Sequence, residues 1–381
     1  MADPLFAPSP QPGVLRSRAY EPGLSADDLP PEVRRKHRVV KLASNENPFG
    51  PSPRVREIGD RIYESLGLYP DPLGRRLREA IARRLGVPLE GIVLAGGSDL
   101  LFSWLAQTFL GRERAGVIST ITFPTYRIVI HAAGAPLSLA PSRPEDDPRP
   151  FAHDPEGLAE RTAHGAGVLF LDNPNNPVGC VLPRSTIARL LETVPSDVLV
   201  VVDEAYIDYV DDPDATTALP LLARHPNLVV TRTFSKIYGL AGARLGFGVM
   251  HPEAAALVNR IRLPFAVSAP ALAFGEAAWS DGEHYRRSRE HVLGERPRLD
   301  GELARRGWRV LPSATNFLTA RPPLPAARVC ADLFRSGIIV RPLRGEGIDA
   351  YLRITIGTRE ENDLLLEACE RLPFAAEETR S

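Results

Sequence analysis

Lys236 stands in surroundings that lysines ordinarily avoid. The segment Thr231-Arg-Thr-Phe-Ser-Lys-Ile-Tyr-Gly-Leu-Ala-Gly-Ala-Arg244 is rich in small, hydroxyl-bearing and glycine residues and follows an apolar run. Withdrawal from water disfavours the ammonium form and leaves an amine able to make a Schiff base with a carbonyl group. The ordinary alternative for a lone lysine is a solvated surface group, and the neighbours weigh against it. Thr233 and Ser235 offer hydroxyls, and Arg244, eight residues on, offers a planar fork suited to a phosphate.

Three other segments carry groups that could work with such an amine. Asp203 ends the apolar run Val198-Leu-Val-Val-Val, which puts a carboxylate at the carboxyl end of a buried strand, where ligands bind in open α/β sheets. There it either caps the next turn or, kept ionised beside a cation, holds a heteroaromatic nitrogen protonated. Leu171-Asp-Asn-Pro-Asn-Asn-Pro-Val-Gly179 also follows an apolar run, and its two prolines stiffen a loop that presents Asn175 and Asn176. Asn-Pro commonly marks a plain turn, yet a rigid amide at a strand end can hydrogen-bond a phenolate oxygen. Ala95-Gly-Gly-Ser-Asp99 precedes a helix-period run, so Ser98 or Asp99 is expected to cap that helix, whose first N–H groups face any bound anion. Together these segments supply an amine, a carboxylate, an amide, an anion-binding helix start and an arginine, the set that pyridoxal phosphate requires.

Strands feeding crossover helices must position these groups. Short apolar runs at 92–95, 116–119, 168–171, 198–202, 228–231 and 246–250 alternate with helix-period segments such as Leu73, Leu77, Ala80, Ile81 and Leu85. The pattern predicts an α/β fold with a mostly parallel central sheet flanked by helices. After residue 250 the texture changes to longer charged helical stretches and then to short strands near 316–320, 338–341 and 352–356, a smaller α+β domain. The expected organisation is a proline-rich, extended arm over 1–37, a large domain over 38–250 and a small one over 251–381, with part of the N-terminal segment packing on the last. The segment 141–150, PSRPEDDPRP, reads as a surface loop.

Composition excludes several classes. The 381 residues carry 46 Lys+Arg against 47 Asp+Glu, a formal net charge of −1, which lacks the footprint of a nucleic-acid binder or a polybasic membrane binder. No stretch approaches the ~18 apolar residues of a spanning helix, and the first thirty residues hold no apolar leader core. Cys180, Cys330 and Cys369 are far apart with no CxxC spacing, so neither a disulfide framework nor a zinc site is indicated, and a reducing, cytoplasmic setting is expected. Prolines number 37, but a hydrophobic content of 44% rules out global disorder.

The chain resembles the fold type I pyridoxal-phosphate aminotransferases and, within them, the histidinol-phosphate aminotransferase family. The marks run from about Leu42 to Leu372: LASNENPFGPSP, YPDP, GGSD, FPTY, NPNNPVG, VVDEAYIDY, TRTFSKIYGLAGARLGFG, GIIVRPL and LRITIGTREEN. The resemblance implies amino transfer between histidinol phosphate and 2-oxoglutarate, with Lys236 carrying pyridoxal phosphate as a Schiff base and Asp203 pairing with its ring nitrogen. It further implies that Asn176 and Tyr206 bond the phenolic oxygen and that Tyr126 stacks on the ring. Ser98, Asp99, Ser235 and Arg244 would hold the phosphate, and Tyr69 would reach it from the neighbouring subunit of a homodimer with shared sites. Arg353 resembles the arginine that clamps the amino donor's carboxylate, Arg341 a second anion-binding arginine, and Tyr20 a substrate-lining tyrosine. No metal is implied.

Leu100, Val178 and Ala266 depart from residues usual in the family, and Ala266 replaces a polar side chain expected near the substrate. That departure keeps open an aminotransferase for aromatic or other amino acids in a specialised pathway. A pyridoxal-phosphate decarboxylase shares the same cofactor set. A non-catalytic ligand-binding protein on this fold is opposed by Lys236.

Overall fold

The computed structural model describes residues 10–17, 19, 23–345 and 347–372. Its strands, in chain order, are β1 (Val40–Leu42), β2 (Ile92–Ala95), β3 (Ala115–Ser119), β4 (Leu137–Ala140), β5 (Ala166–Asp172), β6 (Leu199–Asp203), β7 (Leu228–Thr233), β8 (Gly246–Met250), β9 (Arg309–Val310), β10 (Phe317–Arg321), β11 (Ile338–Pro342) and β12 (Leu352–Thr355). Seven of them form one sheet in the order β2-β8-β7-β6-β5-β3-β4. Only β8 within this sheet runs antiparallel to its neighbours. β5 and β6 are buried along their full length, which is why their sequences read as unbroken apolar runs and not as an alternation. β2, β5, β6 and β7 point the same way, so their carboxyl ends share one edge.

The second sheet has the order β1-β11-β12-β10-β9. β1 lies parallel to β11, with Val40 opposite Ile338, so the strand that opens the expected large domain belongs to the smaller sheet. Between the sheets, Leu77 and Ile81 of the helix Arg75–Leu85 join Phe234, Phe317 and Ile354 in a continuous apolar core. The helical stretch expected after residue 250 resolves into Pro252–Ile261, Ala269–Ser280 and Gly282–Arg305.

One expectation needs correction and another is extended. The arm is not simply extended, because it contains the short helices Pro12–Arg16 and Pro31–Lys36, each begun by a proline. At a first helical position proline forfeits no hydrogen bond and its fixed φ suits the helix. Gly13 lets the first of these helices lie on the helix Thr125–Ala132, since a Cβ there would stand 2.0 Å from the His131 carbonyl oxygen. The loop 141–150 is also more than a surface connection: Glu145 accepts hydrogen bonds from Arg309 Nη1 at 2.8 Å, Arg321 Nη1 at 2.9 Å and the Tyr351 hydroxyl at 2.7 Å. It thereby ties the large sheet's loops to the small sheet.

Directly after the β6 aspartate, Glu204 is fully enclosed and accepts from Arg232 Nε at 3.0 Å and Nη2 at 2.8 Å, from the Ala218 amide at 2.6 Å and from the Thr217 hydroxyl. This pair locks β6, β7 and the 217–218 turn behind the shared edge. Removing one partner would strand the other charge in a low-dielectric interior. We therefore expect Glu204→Ala to lower the free energy of unfolding by about 3–5 kcal/mol, measured by denaturant titration. A loss within about 1 kcal/mol, as for an exposed ion pair, would contradict this.

Candidate active site

The shared carboxyl edge faces the smaller sheet across a cavity of about 230 Å³. On its floor β6 delivers Asp203, whose Oδ2 accepts from the Tyr126 hydroxyl at 2.8 Å and whose Oδ1 accepts from the Thr231 hydroxyl at 2.9 Å. Burial pushes the Asp203 carboxyl up to about 7 against the pull of Tyr126, and the Asp172 carboxylate, its register partner on β5, adds to the push. Its two hydrogen-bond donors are hydroxyls, which leaves the carboxylate poised for a cation from outside the chain.

Beyond the end of β7, Lys236 Nζ donates to the Ser44 carbonyl at 3.2 Å and lies 5.5 Å from the centre of the Tyr206 ring. Burial, followed by the Arg353 guanidinium, draws the ammonium down to about 8. Near neutral pH an appreciable fraction is therefore nucleophilic amine. The Tyr206 hydroxyl accepts from Asn45 Nδ2 at 2.8 Å and from Asn176 Nδ2 at 3.4 Å. Burial holds the phenol up at about 12, so it stays protonated and can donate to an oxygen in the cavity.

An anion-binding end forms where β2 meets the helix Ser98–Phe109. Ser98 and Asp99 do not cap this helix as expected: the cap position is Gly97, at φ +92°. A Cβ on Gly97 would lie 2.4 Å from Arg244 Nη2, so close approach of the guanidinium excludes a side-chain cap. The first-turn N–H groups and the Ser98 hydroxyl are left to serve a ligand. Arg244 is steadied by Asp99 Oδ2 at 3.2 Å and by Ser235 Oγ at 3.4 Å, and Thr233 donates to Ser235 at 3.0 Å.

From the small sheet, Arg341 on β11 and Arg353 on β12 stand directly opposite each other. Arg353 Nη1 donates to Asn176 Oδ1 at 2.6 Å and Nη2 to the Ala43 carbonyl at 2.8 Å. Like charges facing across a strand pair are unfavourable, so a bound anion would stabilise this part of the structure.

Ser98, Asp99, Asn176, Asp203, Tyr206, Ser235, Lys236, Arg244, Arg341 and Arg353 thus line one cavity. Tyr126 does not. Its ring is completely buried and stacks on Phe170 at 5.1 Å, so it holds Asp203 from behind while Phe123 provides the aromatic lining. Tyr69 is 82% exposed, stacks on Phe265 at 4.4 Å and is not among the residues that line the cavity. Tyr20 lies outside the described residues. Ala266 is not a lining residue either, and packs against the apolar cluster beneath the edge, as does Leu100. Val178 is buried against Leu311 and Leu343 of the smaller domain. Sequence reasoning missed Ser44, Asn45, Phe123 and Asp172. For the first two, a polar cluster immediately after the β1 run was the available signal. Among the described residues no group of His, Cys, Asp and Glu could hold a metal ion, and no helix is long and apolar enough to cross a membrane.

The arrangement fits pyridoxal phosphate: a carboxylate short of a cation, an amine of lowered pKa, amide and phenol donors between them, and an N-terminal helix turn with an arginine at the far end. Comparison with known proteins agrees. The family described as aminotransferase class I and II matches residues 37–369. Over 361 residues the chain is 41% identical to histidinol-phosphate aminotransferase 2 of Methylococcus capsulatus, covering 95% of this chain and 97% of that protein. It is 40% identical over 368 residues to the histidinol-phosphate aminotransferase of Anaeromyxobacter sp., covering 95% and 98%. The crystal structure of histidinol-phosphate aminotransferase from Sinorhizobium meliloti in complex with pyridoxal-5'-phosphate superposes with a TM-score of 0.85 at 28% identity, covering 97% of this chain and all of that one. The chain therefore belongs to the aminotransferase class I and II family, on the branch that contains the histidinol-phosphate aminotransferases.

Proposed function

We propose that this chain is a pyridoxal-phosphate-dependent aminotransferase that moves an amino group between histidinol phosphate and 2-oxoglutarate, giving imidazole-acetol phosphate and glutamate. The observation that carries the reading is the opposition of Arg341 and Arg353 across the cavity from Lys236. An amine meets two anion-binding forks there, able to take either a carboxylate or a phosphate. Pyridoxal phosphate, when bound, supplies a ring that accepts the electron pair left at the substrate α-carbon. The chain does the rest. Lys236 would hold the cofactor until substrate arrives, then as general base take the proton from the substrate α-carbon and as general acid deliver it to C4′ of the cofactor, a role suited to its lowered pKa. Asp203 keeps the ring nitrogen protonated, with Tyr126 and Thr231 fixing its orientation. Tyr206 and Asn176 bond the phenolic oxygen. Ser98, Ser235, Arg244 and the helix start hold the phosphate, with Asp99 positioning Arg244. Arg353 takes the α-carboxylate of the amino donor and Arg341 the second anionic group.

The same reading includes a homodimer with shared sites. Tyr63, Leu66, Leu68, Tyr69 and Leu263 are all more than half exposed, more apolar surface than a solvated monomer ordinarily leaves clustered. Tyr69 in that patch does not line its own cavity.

Replacing Asp203 by Asn should leave cofactor binding but lower kcat about a hundredfold or more, because a neutral amide does not stabilise the ring N–H⁺. Near-normal kcat would reduce Asp203 to a turn cap. Arg341→Leu should raise KM for histidinol phosphate about tenfold or more, and raise that of an unphosphorylated aromatic amino acid far less. Equal effects, or a wild type that prefers phenylalanine by kcat/KM, would favour an aromatic aminotransferase. Sedimentation should show a dimer, and mixing equal amounts of Tyr69→Phe and Lys236→Ala subunits should restore roughly a quarter of wild-type activity through one intact site per mixed dimer. A fully active monomer would refute the shared site.

A further inference from the structure

Asp172 is a second buried carboxylate in the cavity wall, side by side with Asp203 in the β5–β6 register. None of the roles assigned above uses it. Burying two carboxylates together is costly unless each is well hydrogen-bonded, and Asp172 is surrounded by donors. Oδ1 accepts from the Thr122 hydroxyl and faces His153 Nε2 at 3.2 Å. Oδ2 accepts from the Asn176 backbone amide at 2.7 Å and from Asn175 Nδ2 at 3.2 Å.

His153 is itself enclosed, and its hydrogen-bond network defines its orientation. Nε2 faces two oxygens of Asp172, the side-chain Oδ1 and the carbonyl at 3.0 Å, so it carries the hydrogen. Nδ1 then accepts from the Ser119 hydroxyl at 2.6 Å. Asn175 Nδ2 is also 3.1 Å from Nε2, and its two hydrogens are taken by Asp172 Oδ2 and, at 3.3 Å, the Ile121 carbonyl.

The chain of bonds continues past Asp172. By gripping the Asn176 backbone, Asp172 sets where the Asn176 side chain lies, and that side chain accepts from Arg353 while donating to Tyr206. Arg353 reads a carboxylate through a planar fork, so the direction of its guanidinium decides affinity, and small misplacements are expensive. We propose that Asp172, oriented by His153, is a positioning residue for Arg353, acting through Asn176 and so setting the affinity of the site for the amino donor's carboxylate. This rests on the aminotransferase reading, in which Arg353 takes that carboxylate.

The test is calorimetric titration of the cofactor-loaded enzyme with glutarate, a dicarboxylate that has neither an amino nor a keto group. Asp172→Asn replaces an all-acceptor group with one that turns a donor toward other donors. It should weaken glutarate binding about tenfold or more, raise KM for glutamate similarly, and change kcat much less. His153→Leu should do the same. His153→Gln, whose amide nitrogen can replace Nε2 as donor to Asp172, should bind glutarate close to wild type. Should Asp172→Asn fail to fold, the contrast between the two His153 variants carries the test. The inference is overturned if Asp172→Asn or His153→Leu binds glutarate as wild type does, or if kcat falls and glutarate affinity does not. Arg353→Leu separates the two levels. If it loses glutarate while Asp172→Asn retains it, the positioning role fails and the aminotransferase reading stands. If Arg353→Leu binds as tightly as wild type, the assignment of Arg353 fails, and the positioning role with it.

Discussion

A carboxylate buried at the end of a central strand, bonded by hydroxyls and by no cation among the described residues, is the constraint around which this molecule is organised. Asp203 sits where the strand edge is deepest, and an enclosed acid in that position is stable as an anion only beside a positive charge. The protein supplies the orientation through Tyr126 and Thr231 and leaves the charge to a ligand. The depression of the Lys236 ammonium and the reach of Arg244 toward the helix start are matched to the other ends of that ligand. Folding energy is thus withheld at one point and recovered on binding, which links cofactor occupancy to stability by mass action.

The cavity belongs to neither sheet alone. β5, β6 and β7 provide the carboxylates, the amide loop and the lysine, while β11 and β12 provide the arginines and the turn after β1 provides Ser44 and Asn45. Contacts across the seam are of two kinds. Arg353 to Asn176 and Asn45 to Tyr206 run through the site itself, whereas Glu145 with Arg309, Arg321 and Tyr351, and Val178 with Leu311 and Leu343, close the seam outside it. The partly exposed ion pairs contribute little individually, so alignment of the two sheets rests on the apolar contacts and on the bonds inside the cavity.

Much of this was legible in the sequence, for identifiable reasons. Strands buried on both faces announce themselves as continuous apolar runs, and the groups at their carboxyl ends are chemically conspicuous. Lys236, Asp203, Asn176 and Arg244 were legible for that reason. β4 was not, because Leu137–Ala140 is a short edge strand, only partly buried, with a serine interleaved. Phe123 and Tyr126 flank one turn into a helix, and only the position of Phe170 on β5 decides which ring is swallowed by the core and which faces the cavity. The capping preference of Ser98 and Asp99 gave way to a guanidinium that needs the space of a missing Cβ at Gly97. Asp172, the last residue of β5, drew no role from the sequence because its partner His153 lies on a different segment, with no local pattern joining the two.

The parallel pairing of Val40–Leu42 with Ile338–Val340 bears on how the chain is made. During synthesis β1 emerges before every strand of the seven-stranded sheet and the strand it must pair with after all of them, so β1 has no sheet to join while the seven-stranded sheet is already complete. Ser44 and Asn45, carried just behind β1, cannot reach their places in the cavity before then. The cofactor site therefore becomes competent only when β11 captures β1, and the nascent protein carries the Lys236 edge uncovered from the making of β8 until β11 emerges. Such a long-range closure is slow, and until it occurs the uncovered edge leaves this chain exposed to misassembly.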